Sequence, residues 1–215
     1  MTWDISQLDP ARTALAIVDM QGDFLDAGGA CLIPGGRQIV PLVADLAGRC
    51  RHAGVPIVHI MTVWRHGVVD MSPFTTSEDL RTRGLREGEA GVDLVPELTA
   101  QAGDYVVVKK RYSGFYQTDL DLLLSGLGTR SLLVAGVATN FCVRATVHDA
   151  SFRGLISVVS PETCRSYSPE EHAASLRDIA NGFGYVVPLS TVLRAIDRCA
   201  KDWSLAASGS SIGAE

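Results

Sequence analysis

Residues 132–154, LLVAGVATNFCVRATVHDASFRG, are the most informative stretch of the chain. An apolar, β-branched run at 132–137 leads through a short turn into a segment with helical spacing that begins near Phe141. A strand buried on both faces and followed at once by a helix is the repeating unit of a parallel α/β sheet. The stretch therefore predicts the fold class, and it places Cys142 where a strand gives way to a helix.

The same alternation continues on both sides of this stretch. Further strands are predicted at 14–18, 55–61, 105–108, 155–160 and 185–188, and further helices at 37–54, 118–127 and 169–184. We therefore predict an α/β fold with three layers, α/β/α, around a mostly parallel, doubly wound sheet.

The expected domain organisation is simple. Residues 1–205 are predicted to form a single domain, and the small, polar residues 206–215 a flexible C-terminal tail. The Gly-, Arg- and Glu-rich stretch 62–103 interrupts the alternation and is long enough to form a lid over a site.

Composition limits the class of partner. The 215 residues carry a formal net charge of −5, and no run of Lys and Arg exceeds three residues, which disfavours nucleic acid and anionic membranes. No apolar run approaches the ~20 residues that a membrane-spanning helix needs. The five cysteines form no C-x-x-C pair, and the first ten residues lack the basic and apolar regions of a signal peptide. We expect a cytoplasmic protein that acts on a small molecule.

Three reactive side chains follow three predicted strands. Asp19 follows the first strand, Lys109 follows YVVV, and Cys142 lies a few residues past LLVAGV. Because the carboxyl ends of parallel strands share one edge of the sheet, these side chains can converge there. The ordinary alternatives are a turn residue for Asp19, a solvated charge run for Lys109 and a small buried hydrophobe for Cys142.

The position of Cys142 favours chemistry. A cysteine in the first helical turn faces unpaired N–H groups and the positive end of the helix dipole, which favour the thiolate, and Thr139 or Asn140 could cap the helix. Lys109 would lower the pKa of the thiol further. His148 and His172 are poorly placed to serve as the base, so Asp19 is the preferred proton acceptor.

Three motifs resemble the isochorismatase-like cysteine hydrolases. They are AIVDMQGDF (16–24), VVKKRYSGFYQTDLD (107–121) and GVATNFCVRATVHDA (136–150), within a resemblance that spans roughly residues 13–190. This group includes nicotinamidases and the N-carbamoylsarcosine, ureidoacrylate and biuret amidohydrolases. The resemblance implies a catalytic triad of Asp19, Lys109 and Cys142. Lys110 is the rival lysine, but the family spacing favours Lys109.

The resemblance also bears on the oxyanion and on metals. It implies a cis peptide bond between Val137 and Ala138, which would aim the N–H groups of Ala138 and Cys142 at the oxyanion. Nicotinamidases carry a metal site built from an Asp-x-His element and another histidine. Asp-x-His is absent here and leaves His59 and His66 as lone candidates, so we expect no catalytic metal and no cofactor.

We predict a cysteine-dependent amidohydrolase that cleaves a C–N bond of a small linear amide or ureido (N-carbamoyl) compound through a thioester and releases ammonia. The alternatives are an isochorismatase-type vinyl-ether hydrolase, a nicotinamidase-like amidase and, outside enzymes, an inactive scaffold relative. The resemblance suggests a homo-oligomer, either a dimer or a tetramer. Arg65 or Arg144 could hold a substrate carboxylate. The predicted substrate-binding residues are Trp64, Arg65, Tyr112, Phe115, Asn140, Phe141 and Arg144.

Overall fold

The structure, a computed structural model, describes residues 4–75 and 77–198. The predicted tail at 206–215 lies outside the described residues. Cys199, which we expect from the sequence to pack within a helix, also lies outside them. Within the described ranges, no helix combines the length and the apolar character that a bilayer crossing requires.

Six strands form one parallel sheet in the order β3-β2-β1-β4-β5-β6. All six were predicted, and the sheet confirms the α/β fold class. β5 is longer than predicted, because its pairing with β4 resumes beyond a register shift between Val134 and Gly136. The strands are β1 (Thr13–Val18), β2 (Ile57–Thr62), β3 (Tyr105–Lys109), β4 (Ser131–Val137), β5 (Ile156–Arg165) and β6 (Tyr185–Val186).

The helices between the strands are α1 (Gly22–Leu25), α2 (Val40–His52), α3 (Glu78–Thr82), α4 (Leu120–Gly126), α5 (Arg144–Phe152) and α6 (Pro169–Gly182). A further helix runs from residue 189 to the end of the described range at 198. Four of the helices, α2, α4, α5 and α6, lie near the predicted positions, whereas α1, α3 and the helix at 189–198 were not predicted. A π-helical turn, Thr139–Val143, joins β4 to α5 and contains Cys142.

The sheet separates two apolar layers, as the alternation of side chains along each strand requires. On β1, Leu15 and Ile17 face the layer that contains α2 and the helix at 189–198. Ala14, Ala16 and Val18 face the layer that contains α4, α5 and α6. The three-layer arrangement is therefore as predicted.

Gly136 lets β4 approach β1 unusually closely. Its φ is +118°, and a Cβ added there would lie 2.1 Å from the carbonyl oxygen of Val18. Positive φ and the absence of room both demand glycine. The contact lies one residue before Asp19 and two residues before Ala138, so it helps to set the spacing of the two strand ends that carry candidate site residues.

The stretch 62–103 folds back over the carboxyl ends of the strands. Two buried side chains that follow β1 hold it there. Gln21 donates to the carbonyl oxygens of Thr62 (2.9 Å) and Val92 (2.6 Å). The carboxylate of Asp23 accepts a 2.6 Å hydrogen bond from the N–H of Leu85. This stretch is therefore anchored to the sheet by hydrogen bonds at several points along its length.

Candidate active site

Asp19, Lys109 and Cys142 meet at the carboxyl edge of the sheet. Lys109 Nζ lies 2.8 Å from Asp19 Oδ2 and 3.3 Å from Cys142 Sγ. The ion pair is fully buried, with no exposed surface on either side chain. The structure thus brings together the three residues that the strand ends and the family resemblance indicated. Lys110 is not part of this cluster, because its ammonium pairs with Asp70.

Thr62 is a fourth member of this cluster that the sequence analysis missed. It ends β2 and lies in register with Lys109. Its hydroxyl donates to Asp19 Oδ1 at 2.9 Å and accepts from Lys109 Nζ. The argument from strand ends that predicted Asp19 and Lys109 applies equally to Thr62. It was not applied there, because an uncharged threonine is a weaker sequence signal than a charged residue. The hydroxyl fixes the carboxylate and the ammonium relative to each other.

The pKa of Cys142 is shifted in the direction opposite to the one expected from the sequence. Burial and the charge of Asp19 raise the pKa of Cys142, and the opposing effect of Lys109 is too small to reverse them. Burial alone would lower the pKa of Lys109, but the charges of Asp19 and Cys142 outweigh it and hold that pKa above its ordinary value. Burial and the neighbouring carboxylate therefore favour the thiol form of Cys142 over the thiolate. The sequence-based argument for a lowered pKa of Cys142 left out the buried carboxylate beside the sulfur.

The π-helical turn that carries Cys142 is held from outside the helix. Neither Thr139 nor Asn140 caps the helix, contrary to the sequence-based expectation. Instead, Thr139 Oγ1 lies 2.9 Å from His172 Nδ1, and Asn140 Oδ1 accepts a 2.6 Å hydrogen bond from Ser166. Ser166 directly follows β5, and His172 lies in the first part of α6. The peptide bond between Val137 and Ala138 is cis, at the position that the resemblance implies.

A cavity of about 320 Å³ opens beside the sulfur. Cys142 and Ala138 form part of its floor, and the rings of Tyr112, Phe141 and Tyr167 form a continuous rim, with neighbouring ring centroids 5.1 Å and 6.2 Å apart. Much of the remaining wall comes from the folded-back stretch, which contributes Ser72, Phe74, Thr75, Ser77, Leu80 and Leu85. The cavity is therefore mainly apolar, with its reactive group at the sheet.

The predicted substrate-binding residues divide into two groups. Trp64, Tyr112 and Phe141 line the cavity. Phe115, Arg65, Asn140 and Arg144 lie elsewhere. Phe115 is buried in the layer with α4, Arg65 is mostly exposed and pairs with Asp70, and Asn140 is held by Ser166. Arg144 points away from the cavity to Asp178 on α6. The cations that line the cavity are Lys110 and Arg111, which the sequence analysis did not choose.

The two candidate metal ligands do not come together. His59 is buried in β2 and lies 3.1 Å from Asp104, whereas His66 lies 3.0 Å from the carbonyl oxygen of Glu87. Within residues 4–75 and 77–198, no three side chains of the types His, Cys, Asp and Glu cluster as metal ligands would. These residues do not fit the metal site that the resemblance to nicotinamidases would require.

Asp19→Asn is expected to make the Cys142 thiol more reactive towards iodoacetamide, although it removes the proposed base. Loss of the carboxylate charge lets Lys109 lower the pKa of the thiol, so the thiolate fraction at pH 7, and with it the alkylation rate, should rise about tenfold. Mass spectrometry of the Cys142 peptide measures the rate. Asp178→Asn, on the surface of α6, is the control. An unchanged or slower rate in Asp19→Asn would contradict this electrostatic assignment.

Comparison with known proteins identifies the family of the chain. The Isochorismatase domain matches residues 13–191. Ureidoacrylate amidohydrolase RutB of Methylobacterium radiotolerans is 32% identical over 200 residues, which cover 83% of this chain and 77% of that protein. A cysteine hydrolase from Pseudomonas syringae pv. phaseolicola superposes with a TM-score of 0.84 at 27% identity, covering 89% of this chain and 95% of that one. N-carbamoylsarcosine amidase from Thermoplasma acidophilum superposes with a TM-score of 0.69 at 25% identity, covering 83% and 96%. The chain therefore belongs to the isochorismatase family.

Proposed function

We propose that this protein is a cysteine-dependent amidohydrolase that cleaves a C–N bond of a small linear amide or ureido compound and releases ammonia. The observation that carries the proposal is the buried contact of Lys109 with both Asp19 and Cys142 beside a cavity. Names of relatives support the substrate class, since ureidoacrylate amidohydrolase and N-carbamoylsarcosine amidase both act on ureido compounds.

In the proposed first half-reaction, Asp19 accepts the proton of the Cys142 thiol as the sulfur attacks the carbonyl carbon. Lys109 stabilises the negative charge that moves from the carboxylate to the sulfur during this transfer. The C–N bond then breaks, and the nitrogen takes the proton from Asp19 and leaves as ammonia. The product is a thioester, or a carbamoyl thioester when the substrate is a ureido compound.

In the proposed second half-reaction, water enters the place that ammonia has left. Asp19 accepts a proton from the water as its oxygen attacks the thioester, and the sulfur departs and recovers a proton. A ureido substrate gives a carbamate, which decomposes to an amine and carbon dioxide. A raised pKa of Cys142 suits this cycle, because a thiol that keeps its proton can supply through Asp19 the proton that ammonia needs.

We place the oxyanion of both tetrahedral intermediates at the turn between β4 and α5. The main-chain N–H groups of Ala138 and Cys142 are the proposed donors. Ala138 lines the cavity next to the sulfur, which supports the assignment. A donor of this kind typically contributes about 3–4 kcal/mol to transition-state stabilisation in acyl transfer.

A screen for ammonia release tests the function directly. The panel contains biuret, N-carbamoyl amino acids, ureidoacrylate, maleamate and nicotinamide. We expect turnover of at least one ureido compound or linear amide and little of nicotinamide, because the histidines do not assemble a metal site. Nicotinamide as the preferred substrate would assign the protein to the nicotinamidase-like alternative, and no ammonia from any compound would refute the proposal.

We further propose that the protein is a cytoplasmic homo-oligomer, either a dimer or a tetramer. The free state of the four described cysteines supports a reducing compartment. The edge strand β3 supports self-association, because it exposes Tyr105, Val106 and Val108, and apolar side chains on an open sheet edge favour pairing with another chain. Light scattering coupled to size-exclusion chromatography measures the oligomeric state, and a monomer at micromolar concentration would contradict this proposal.

A further inference from the structure

The cavity beside Cys142 has an uneven distribution of charge. Its described lining includes two cationic side chains, Lys110 and Arg111, and no carboxylate. The rest of the wall is aromatic, aliphatic or hydroxyl-bearing. A cationic substrate would therefore find no carboxylate partner among these residues, whereas an anionic group could approach either cation.

Lys110 already has a carboxylate partner within the protein. Its ammonium lies 3.2 Å from Asp70 Oδ2 and also donates to the carbonyl oxygen of Val63. Asp70 pairs with the exposed Arg65 as well, at 3.1 Å. The charge of Lys110 therefore serves mainly to fasten the beginning of the folded-back stretch to the end of β3.

Arg111 is held differently. One nitrogen, Nη1, donates to the carbonyl oxygens of Asp70 (2.6 Å) and Lys110 (2.8 Å). Its Nη2 and Nε make no hydrogen bond within the described ranges, and no carboxylate there lies in ion-pair distance of it. The guanidinium of this lining residue is thus held by two main-chain carbonyl groups, while two of its nitrogens stay available. A guanidinium held in this way, with free N–H groups, is well suited to a carboxylate.

We infer that Arg111 binds a carboxylate at the end of the substrate remote from the scissile bond, so that the preferred substrate is an acidic amide or ureido compound. The inference rests on the proposed function and adds a specificity residue to it. It also replaces Arg65 and Arg144 in that role, since neither lines the cavity. The aromatic rim would then contact the uncharged middle of the substrate.

Binding of a matched pair of probes to the Cys142→Ala variant tests this inference without turnover. The probes are 3-ureidopropanoate and 3-methylbutylurea, in which an isopropyl group replaces the carboxylate. We expect calorimetry to give at least about tenfold tighter binding of the carboxylate probe, because a charge-assisted pair to arginine is lost with the neutral one. Adding Arg111→Gln should reduce that ratio to about twofold or less.

Two further variants distinguish direct binding of the ligand by Arg111 from an indirect effect of Arg111 on the folded-back stretch. Arg111→Lys keeps the charge without the planar fork and should retain part of the preference. Arg194→Gln, on the helix at 189–198, removes a distant surface cation and should leave the ratio unchanged. The inference is overturned if the carboxylate probe binds no better than the neutral one, or if Arg111→Gln weakens both probes equally. Failure of the proposed function would be a different result, namely no ammonia from any compound of the panel with the unmodified enzyme.

Discussion

Cys142→Ala is expected to lower kcat/KM for amide hydrolysis by about 10⁴- to 10⁶-fold, the range seen when a nucleophile is removed from a catalytic unit of this kind. The sulfur is the group in the described cluster that lines the cavity and is suited to form the acyl intermediate, since Asp19 and Lys109 are held in a buried ion pair and the Thr62 hydroxyl donates to Asp19. Cys142→Ser should be almost as inactive, because the cluster is arranged around a thiol, and a hydroxyl gives up its proton far less readily. Ammonia release with the best substrate of the panel measures both variants.

The same variants distinguish the proposed amidohydrolase from the alternative functions. A vinyl-ether hydrolase of the isochorismatase type does not need a sulfur nucleophile, so Cys142→Ala would leave most of its activity. A scaffold relative would have no activity to lose. The thermal unfolding curve of Cys142→Ala should stay close to that of the unmodified protein, because one small buried side chain replaces another. Retention of amide hydrolysis by this variant would disprove the covalent mechanism.

Lys109→Met is expected to lower the free energy of unfolding by about 3–5 kcal/mol, as well as to abolish activity, because it leaves a buried carboxylate without its partner. Asp19→Asn should cost less, because the ammonium that remains still has Cys142 at 3.3 Å and Thr62 beside it, and the thiol can ionise to compensate the charge. Urea unfolding at pH 7 measures both changes. The difference between the two losses in free energy of unfolding shows whether the buried carboxylate or the buried ammonium is less stable without its partner.

The double variant Asp19→Asn, Lys109→Met completes the cycle. It removes both charges, so its stability should exceed that of Lys109→Met alone, with a coupling energy within the range of about 0.5–3 kcal/mol usual for contacting residues. Additive losses would mean that the two side chains stabilise the fold independently. That result would contradict a tightly coupled ion pair and would weaken the mechanism in which Lys109 stabilises charge that passes between Asp19 and the sulfur.

Much of the fold was predictable because the signals are local. Each buried parallel strand is a short apolar run, and each helix has its own spacing, so β1 to β6 could be located from the sequence. The convergence of Asp19, Lys109 and Cys142 follows from the same reasoning, since parallel strands end at one edge. The choice of Lys109 over Lys110 came from family spacing, because both lysines follow the same apolar run.

The remaining details depend on contacts between distant parts of the chain. The pKa of Cys142 is raised because Asp19 and Cys142, 123 positions apart, are buried together, and no local pattern reveals this. Phe115 resembles a pocket residue in sequence, yet its ring packs in the layer with α4 under the guanidinium of Arg153. Arg111 was overlooked for the opposite reason, since only the folded-back stretch turns the end of β3 into a cavity wall.

The close approach at Gly136 divides the site into a fixed part and a variable part. Main chain packed against main chain sets the separation between the base and the nucleophile, so no side chain in the surrounding loops has to maintain it. The stretch beyond Thr62, at 63–103, can therefore change in sequence, and with it the shape of the cavity, while the separation between Asp19 and Cys142 stays the same. Relatives that act on different amides can diversify in their loops without rebuilding the catalytic centre.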